Sequence, residues 1–349
     1  MGGNMRTVTD SIDCQFRGER SIAYWISGLL ALMLIFAGPA FAQIREDKML
    51  VSYGGLGGYQ LPLWFGAEMQ IFDRYGVQAR PVFIPSAANS MKALLSGDTQ
   101  ATQTSGSAAI NATLNGADLV IITAPYNLLP YNFFAGKGIT RPEDLKGKKI
   151  GILNFGGVTE YATMMLLKDW GLDPRRDVTI IQIGNDPTRL AALVAGSVQG
   201  TVLTHPAMNK AESLGFKSLA NLSEMGIKYP TNTVTVRRGW LKENRATAEK
   251  FLKGYIASIH AIKNREQDAI KVLAKYTKIE DRDSLVKTVR YYSAGIPLDP
   301  RIDSKAIEAV LATFEKTIPG ASQHAPGQFF DSGPLEAVER SGFIQELSR

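Results

Sequence analysis

Two glycine-rich turns, two serines and one histidine are the residues of this chain whose types and spacing could do chemistry. Gly54-Gly55-Leu56-Gly57-Gly58 follows a short apolar run, Met49 to Tyr53, and precedes Pro62, a residue suited to opening a helix. Glycine runs between strand and helix cradle phosphates in nucleotide-binding proteins. This one lacks the Lys-Ser/Thr ending of the phosphate loop and the G-x-G-x-x-G spacing of the dinucleotide motif. What remains is backbone that a ligand can approach closely, because glycine carries no side chain; Gly55 and Leu56 are the candidates. Gly156-Gly157-Val158-Thr159 lies between an apolar run and a helix. Free N–H groups at a helix start, the helix dipole and the Thr159 hydroxyl would form an anion site. The same residues also read as an ordinary turn and N-cap. Ser86, Ser105 and His205 each follow a strand-like run, where loops would line a cleft. A serine hydrolase would need a nucleophile elbow of the type G-x-S-x-G, and Thr104-Ser105-Gly106-Ser107 does not match it.

Metal and redox chemistry find little support. The 349 residues include one cysteine, Cys14, and three scattered histidines, His205, His260 and His324. That excludes a disulfide framework and a thiolate cluster and leaves little for a histidine metal site. No catalytic residue, metal or cofactor is expected. The formal charge of +6 is mild, with acidic residues interspersed, so nucleic acid is not an expected partner. With 45% hydrophobic residues, the chain can build a sizeable core.

The elements that must position these residues alternate between strand-like and helix-like segments from Lys48 onward, the pattern of an α/β fold. Val82 to Ile84, Leu119 to Thr123, Lys149 to Leu153, Val178 to Ile183 and Thr201 to Leu203 read as strands. The helices between them stop at Gly76, Gly97, Gly171 and Gly196. The order repeats: Ala93-Leu94-Leu95-Ser96-Gly97-Asp98-Thr99-Gln100 aligns with Ala192-Leu193-Val194-Ala195-Gly196-Ser197-Val198-Gln199. Any helix–glycine–strand turn resembles this; the alternative is two similar lobes, with ligand beyond the carboxyl ends of the strands. After Tyr229 the chain turns strongly helical, with Phe251, Leu252, Tyr255, Ile256 and Ile259 at helical spacing. Tyr126, Tyr131 and Tyr229 flank the expected crossings between lobes, placed either to stack on a ligand or to pack a hinge.

Residues 1–42 read as a secretory signal peptide. Arg17 and Arg20 precede the uncharged run Ser21 to Phe36. Gly38-Pro39 breaks it, and Ala40-Phe41-Ala42 supplies small residues before Gln43. An uncleaved membrane anchor is the competing reading, since no charge occurs from Ser21 to Ile44. Cleavage removes three arginines and three acids (Arg6, Arg17, Arg20; Asp10, Asp13, Glu19), so the charge stays +6.

Pro62-Leu63-Trp64, Ala93-Leu94-Leu95-Ser96-Gly97, Asp144-Leu145-Lys146-Gly147-Lys148-Lys149-Ile150-Gly151, Gly171-Leu172-Asp173-Pro174 and Phe251-Leu252-Lys253-Gly254-Tyr255 occur in that order. In these segments the chain resembles the nitrate/sulfonate/taurine-type periplasmic solute-binding proteins of ABC importers. The resemblance implies an α/β, bilobed type II periplasmic-binding-protein fold, two doubly wound sheet lobes joined by two crossovers. The expected lobes are 46–126, 127–230 and a return to the first lobe over 231–349. It further implies a periplasmic, monomeric protein that captures a small solute and delivers it to an inner-membrane permease without catalysis. The expected ligand contacts are Gly55, Leu56, Ser86 and Ser105 from one lobe and Gly157, Thr159 and His205 from the other. The chain departs from the family where acidic residues are usual and it has Gln100 and Gln199, positions expected near the cleft. Two other functions fit such a fold. One is a pyrimidine-forming enzyme, which would need cysteines that the chain past residue 42 lacks. The other is a ligand sensor for a membrane partner.

Overall fold

A computed structural model describes residues 47–315 and 317–348. The chain runs β1 (Asp47–Tyr53), α1 (Leu61–Glu68), β2 (Val77–Phe83), α2 (Ala87–Ser96), β3 (Ala101–Thr104), α3 (Gly106–Leu114) and β4 (Leu119–Leu128). It continues through β5 (Asn132–Ala135), β6 (Lys148–Ile152), α4 (Val158–Asp169), β7 (Val178–Gln182), α5 (Asp186–Val194), β8 (Gly200–Leu203), α6 (Ala207–Ser213) and β9 (Lys217–Asn221). The last strand is β10 (Lys228–Arg237). Helices follow: α7 (Arg238–Glu243), α8 (Arg245–Asn264), α9 (Glu266–Thr277), α10 (Arg282–Gly295), α11 (Ser304–Phe314), α12 (Gly333–Arg340) and α13 (Phe343–Leu347). No helix among the described residues is long and apolar enough to cross a membrane. The signal-peptide reading lies outside the described residues.

The strands form two five-stranded mixed sheets, in the orders β2-β1-β3-β10-β4 and β7-β6-β8-β5-β9. The orders correspond: a parallel triplet, then one antiparallel strand, then an edge. In each sheet the antiparallel strand is the one that crosses over, β10 on the way back and β5 on the way out. The chain leaves the first sheet after Leu128 and returns at Lys228, which pairs with Leu128. The two halves match at a constant offset of 99 positions. Val51 pairs with Ala101 as Ile150 pairs with Gly200. The Thr102 hydroxyl donates to the Ser52 carbonyl as Thr201 donates to Gly151. Gly97 and Gly196 both take the left-handed conformation that ends a helix without a Cβ penalty.

Helix α1 is apolar all round rather than two-faced: Leu61 through Gly66 are buried. It lies between the first sheet and the C-terminal helices, where Trp64 stacks on Tyr276 at 4.7 Å and Phe72 on Phe251 at 5.2 Å. Gly66 and Gly254 are required there, because a Cβ at either would stand 2.5–2.6 Å from the Phe72 ring. A second core joins the two sheets through the crossings. Leu129, Tyr131 and Tyr229 pack with Ile110 and Ile121 on one side and Phe133, Ile150 and Leu166 on the other. Tyr229 stacks on Tyr161 at 4.3 Å. The tyrosines at the crossings are therefore packing residues, Tyr131 and Tyr229 in this core and Tyr126 in the first, each at most 5% exposed.

Candidate functional site

The carboxyl ends of the central strands of both sheets face one small cavity. Gly54, Gly55 and the Thr104-Ser105 pair extend β1 and β3; Leu153, Asn154 and Gly157 extend β6. Tyr59, Gln60, Ala87 and Thr231 complete the main walls. The space open to the centres of water-sized spheres is about 30 Å3, roughly two waters' worth. Three helices start on this cavity, α2 after Ser86, α3 after Ser105 and α4 after Gly157, and none has a side-chain cap on its free N–H groups. The Thr104 hydroxyl has no partner although the residue is 6% exposed. Ser105 Oγ lies 3.1 Å from Ser107 Oγ. No charged side chain is among the lining residues.

The glycine run after β1 has a local cause. A Cβ at Gly55 would collide with the Tyr59 hydroxyl, and one at Gly57 with the Tyr59 ring and, at 2.8 Å, with Thr204 Oγ1. The run thus lets Tyr59 fold back beneath it and lets the second half of the chain dock, with Gly58 N–H donating to the His205 carbonyl at 3.0 Å. Tyr59 hydrogen-bonds Tyr131, and burial, reinforced by the nearby Asp186 charge, raises its hydroxyl far above the usual range. Gln60 accepts from Gln103 Nε2 at 2.6 Å, and Gln103 Oε1 accepts from the Tyr255 hydroxyl at 3.0 Å.

Of the seven residues expected at the ligand, Gly55, Ser105 and Gly157 line this cavity; Leu56, Ser86 and Thr159 are chain neighbours of lining residues, and His205 is not part of the lining. Thr159 Oγ1 accepts from Leu153 N–H at 3.0 Å and so ties the start of α4 to the end of β6. Ser86 is held at φ 82, an uncommon and strained conformation for a non-glycine residue, immediately before cavity-lining Ala87. Leu56 packs on the first core. The His205 ring lies 4.8 Å from that of Tyr291, and burial lowers its pKa to about 4.

Gln100 and Gln199 are not at the cleft. Both precede a strand, at the end opposite the cavity. Gln100 Oε1 accepts from Leu50 N–H at 2.8 Å, and Gln199 Oε1 accepts from Lys149 N–H at 3.2 Å. A strand's first residue and its last lie at opposite edges of a sheet, so these amides clamp strand starts.

Sequence reading missed the charged pair beside the cavity. Asp186, at the first position of α5, accepts from Thr204 N–H at 3.3 Å and from the Thr204 hydroxyl. It is also paired with Arg189, whose guanidinium donates to the carbonyls of Val202 and Gly184. Arg189 is 1% exposed and Asp186 7%. The only sequence signal was an acid and an arginine three apart at a helix start, where an acid is ordinary. Among the described residues no group of three or more His, Cys, Asp or Glu could hold a metal ion.

Two corresponding α/β sheets whose strand ends meet at one cleft define a bilobed protein of the periplasmic-binding type. The chain belongs to the NMT1/THI5 like family, whose model matches residues 62–269. It is 22% identical over 297 residues to YtlA of Bacillus subtilis (strain 168), covering 82% of this chain and 89% of that one. Among solved structures it resembles a protein of Bordetella bronchiseptica RB50, with TM-score 0.74, 17% identity and 85% and 98% of the two chains covered. It also resembles the alkanesulfonate-binding protein SsuA from Xanthomonas axonopodis pv. citri, with TM-score 0.65, 18% identity and 80% and 95% covered.

Proposed function

We propose that this protein is the substrate-binding component of an ABC importer. Exported through a cleaved signal peptide, it captures one small polar or anionic organic solute in the periplasm and hands it, unconverted, to an inner-membrane permease. In this reading it works as a monomer, with lobes 46–126 plus 231–349 and 127–230 closing over the solute. Gly55, Ser105 and Gly157 touch the solute directly. Leu56, Ser86, Thr159 and His205 hold the loops that present them.

The observation that carries the reading is the composition of the cleft. Its walls come from corresponding strand ends of both sheets and offer backbone, hydroxyl and amide groups. No cysteine, histidine, acid or lysine lines it, so its hydroxyls and amides can select a solute by hydrogen bonding but have no general base beside them in the walls to activate a nucleophile. The resemblance to an alkanesulfonate-binding protein supports the same conclusion.

A thermal-shift screen of the mature protein against sulfonates, carboxylates and nucleobases tests it, because a bound solute raises stability by mass action. The expected result is stabilisation by one class, one site per chain in titration calorimetry, and unchanged solute recovered by chromatography. Recovery of a chemically converted solute would overturn it.

A further inference from the structure

The 99-position correspondence between the halves relates the cavity to a place in the second lobe that the protein fills by itself. Ser86 matches Asn185 as the residue before a helix, Ala87 matches Asp186, Ser90 matches Arg189 and Ser105 matches Thr204. In the second lobe, the Asp186 carboxylate spans the gap between the start of α5 and the turn after β8, accepting from both the N–H and the hydroxyl of Thr204. In the first lobe the equivalent acid is absent. Ala87 and Ser105 face the cavity there instead, next to the Thr104 hydroxyl that has no partner.

We propose that Ala87 is the specificity-determining position of the cleft: it leaves open, for an oxyanion of the ligand, the place that the Asp186 carboxylate fills in the second lobe. The inference rests on the solute-binding reading and narrows it to solutes with a singly charged oxyanionic head. Asp186 shows what this geometry binds, since its oxygens meet a backbone N–H and a hydroxyl of the kind that Ser105 and Thr104 present to the cavity. The limit of one charge comes from Ser90. Where the second lobe has the Arg189 guanidinium, the first has a hydroxyl that donates to the Ile84 carbonyl at 3.3 Å. Without a cation in the walls, a buried dianion would keep too much of its desolvation cost. A single charge is matched by N–H and O–H dipoles at the helix starts.

The test is to give the first lobe an acid of its own. Ala87→Asp, Ala87→Asn and wild type are titrated with nitrate, acetate and methanesulfonate, and with uracil as the neutral probe. The expected result is that at least one anion binds wild type and uracil does not. Ala87→Asp should weaken that anion about 100-fold or more through like-charge repulsion within the occupied place, and Ala87→Asn about tenfold or less. Thermal unfolding shows whether Ala87→Asp is folded. If it is not, Ser105→Ala serves in its place, with an expected loss of about tenfold. Equal losses for Asp and Asn, or undiminished binding by Ala87→Asp, would overturn the inference. Binding of uracil alone would overturn it while leaving the solute-binding reading intact. Binding of no probe would count against both.

Discussion

Removing the Arg189 guanidinium should be the most damaging single change near the cleft that spares its walls. Arg189→Met keeps the aliphatic stem but deletes the partner of Asp186 and the donors to the Val202 carbonyl, at 3.1 and 3.3 Å, and to Gly184. The carboxylate left behind is 7% exposed and retains only the Thr204 N–H and hydroxyl. An uncompensated buried charge costs about 3–5 kcal/mol, and the orphaned carbonyls add about 1 kcal/mol. That is a large part of the roughly 5–15 kcal/mol by which such a protein is stable. Adding Asp186→Asn removes the charge and should restore about 2–3 kcal/mol, because deleting both members of a buried pair costs less than deleting one. Urea unfolding of the two single variants and the double variant measures this cycle. A loss below about 1 kcal/mol for Arg189→Met, or no recovery in the double variant, would refute the reasoning.

Other expectations follow from the same geometry. His205 is held neutral by burial, with a pKa of about 4 against an ordinary 6.5, so the unfolded chain binds the proton first. Its contribution is complete above pH 6.5 and is lost as pH falls toward 4, by about 3 kcal/mol; His205→Gln should flatten the stability–pH curve in that window, and an unchanged slope would contradict the assignment. Thr159→Ala strands the Leu153 N–H and should cost about 1–2 kcal/mol in chemical unfolding, whereas Thr159→Ser should cost less than about half of that. Gly157→Val places a Cβ 2.9 Å from Asn154 Nδ2 at an unstrained φ of −105°. It should push that amide into the cavity and abolish solute binding in calorimetry while leaving the melting temperature within a few degrees.

How much of this was legible in the sequence depends on whether a feature had its own local signal. The parallel strands β1, β6, β7 and β8 announce themselves as apolar runs bounded by glycine, and the A-L-L-S-G and A-L-V-A-G helix ends expose the repeat. The crossing strands do not. Asn132–Ala135 is four residues long and wholly buried, and so has no alternation to read. In the ten-residue β10 only Val234 to Val236 has a strand-like apolar alternation, and the polar residues before it, Thr231 through Thr233, are buried within the sheet. Helix α1 offers no two-faced pattern to read, because tertiary packing buries Leu61 through Gly66 all round. The glycine run was recognised as a place of close approach. Tyr59 and Thr204, which approach it, come from tertiary structure that no motif encodes. Gln100 and Gln199 were placed at the wrong edge of their sheets because the turn before a strand and the turn after it look alike in composition. Asp186 went unnoticed for a related reason: an acid at a helix start has an ordinary local explanation, and only the comparison with Ala87 shows what it fills.

The most direct test of the account is a crystal structure of the mature protein with whichever solute stabilises it in the thermal-shift screen. One solute molecule is expected between the two sheets, in contact with Gly55, Ser105 and Gly157, with Asp186 still bound to Thr204. Density for the solute in the larger open groove beside Asn127, Arg301 and Lys305, about 620 Å3, with the cleft between the sheets left to water, would contradict it.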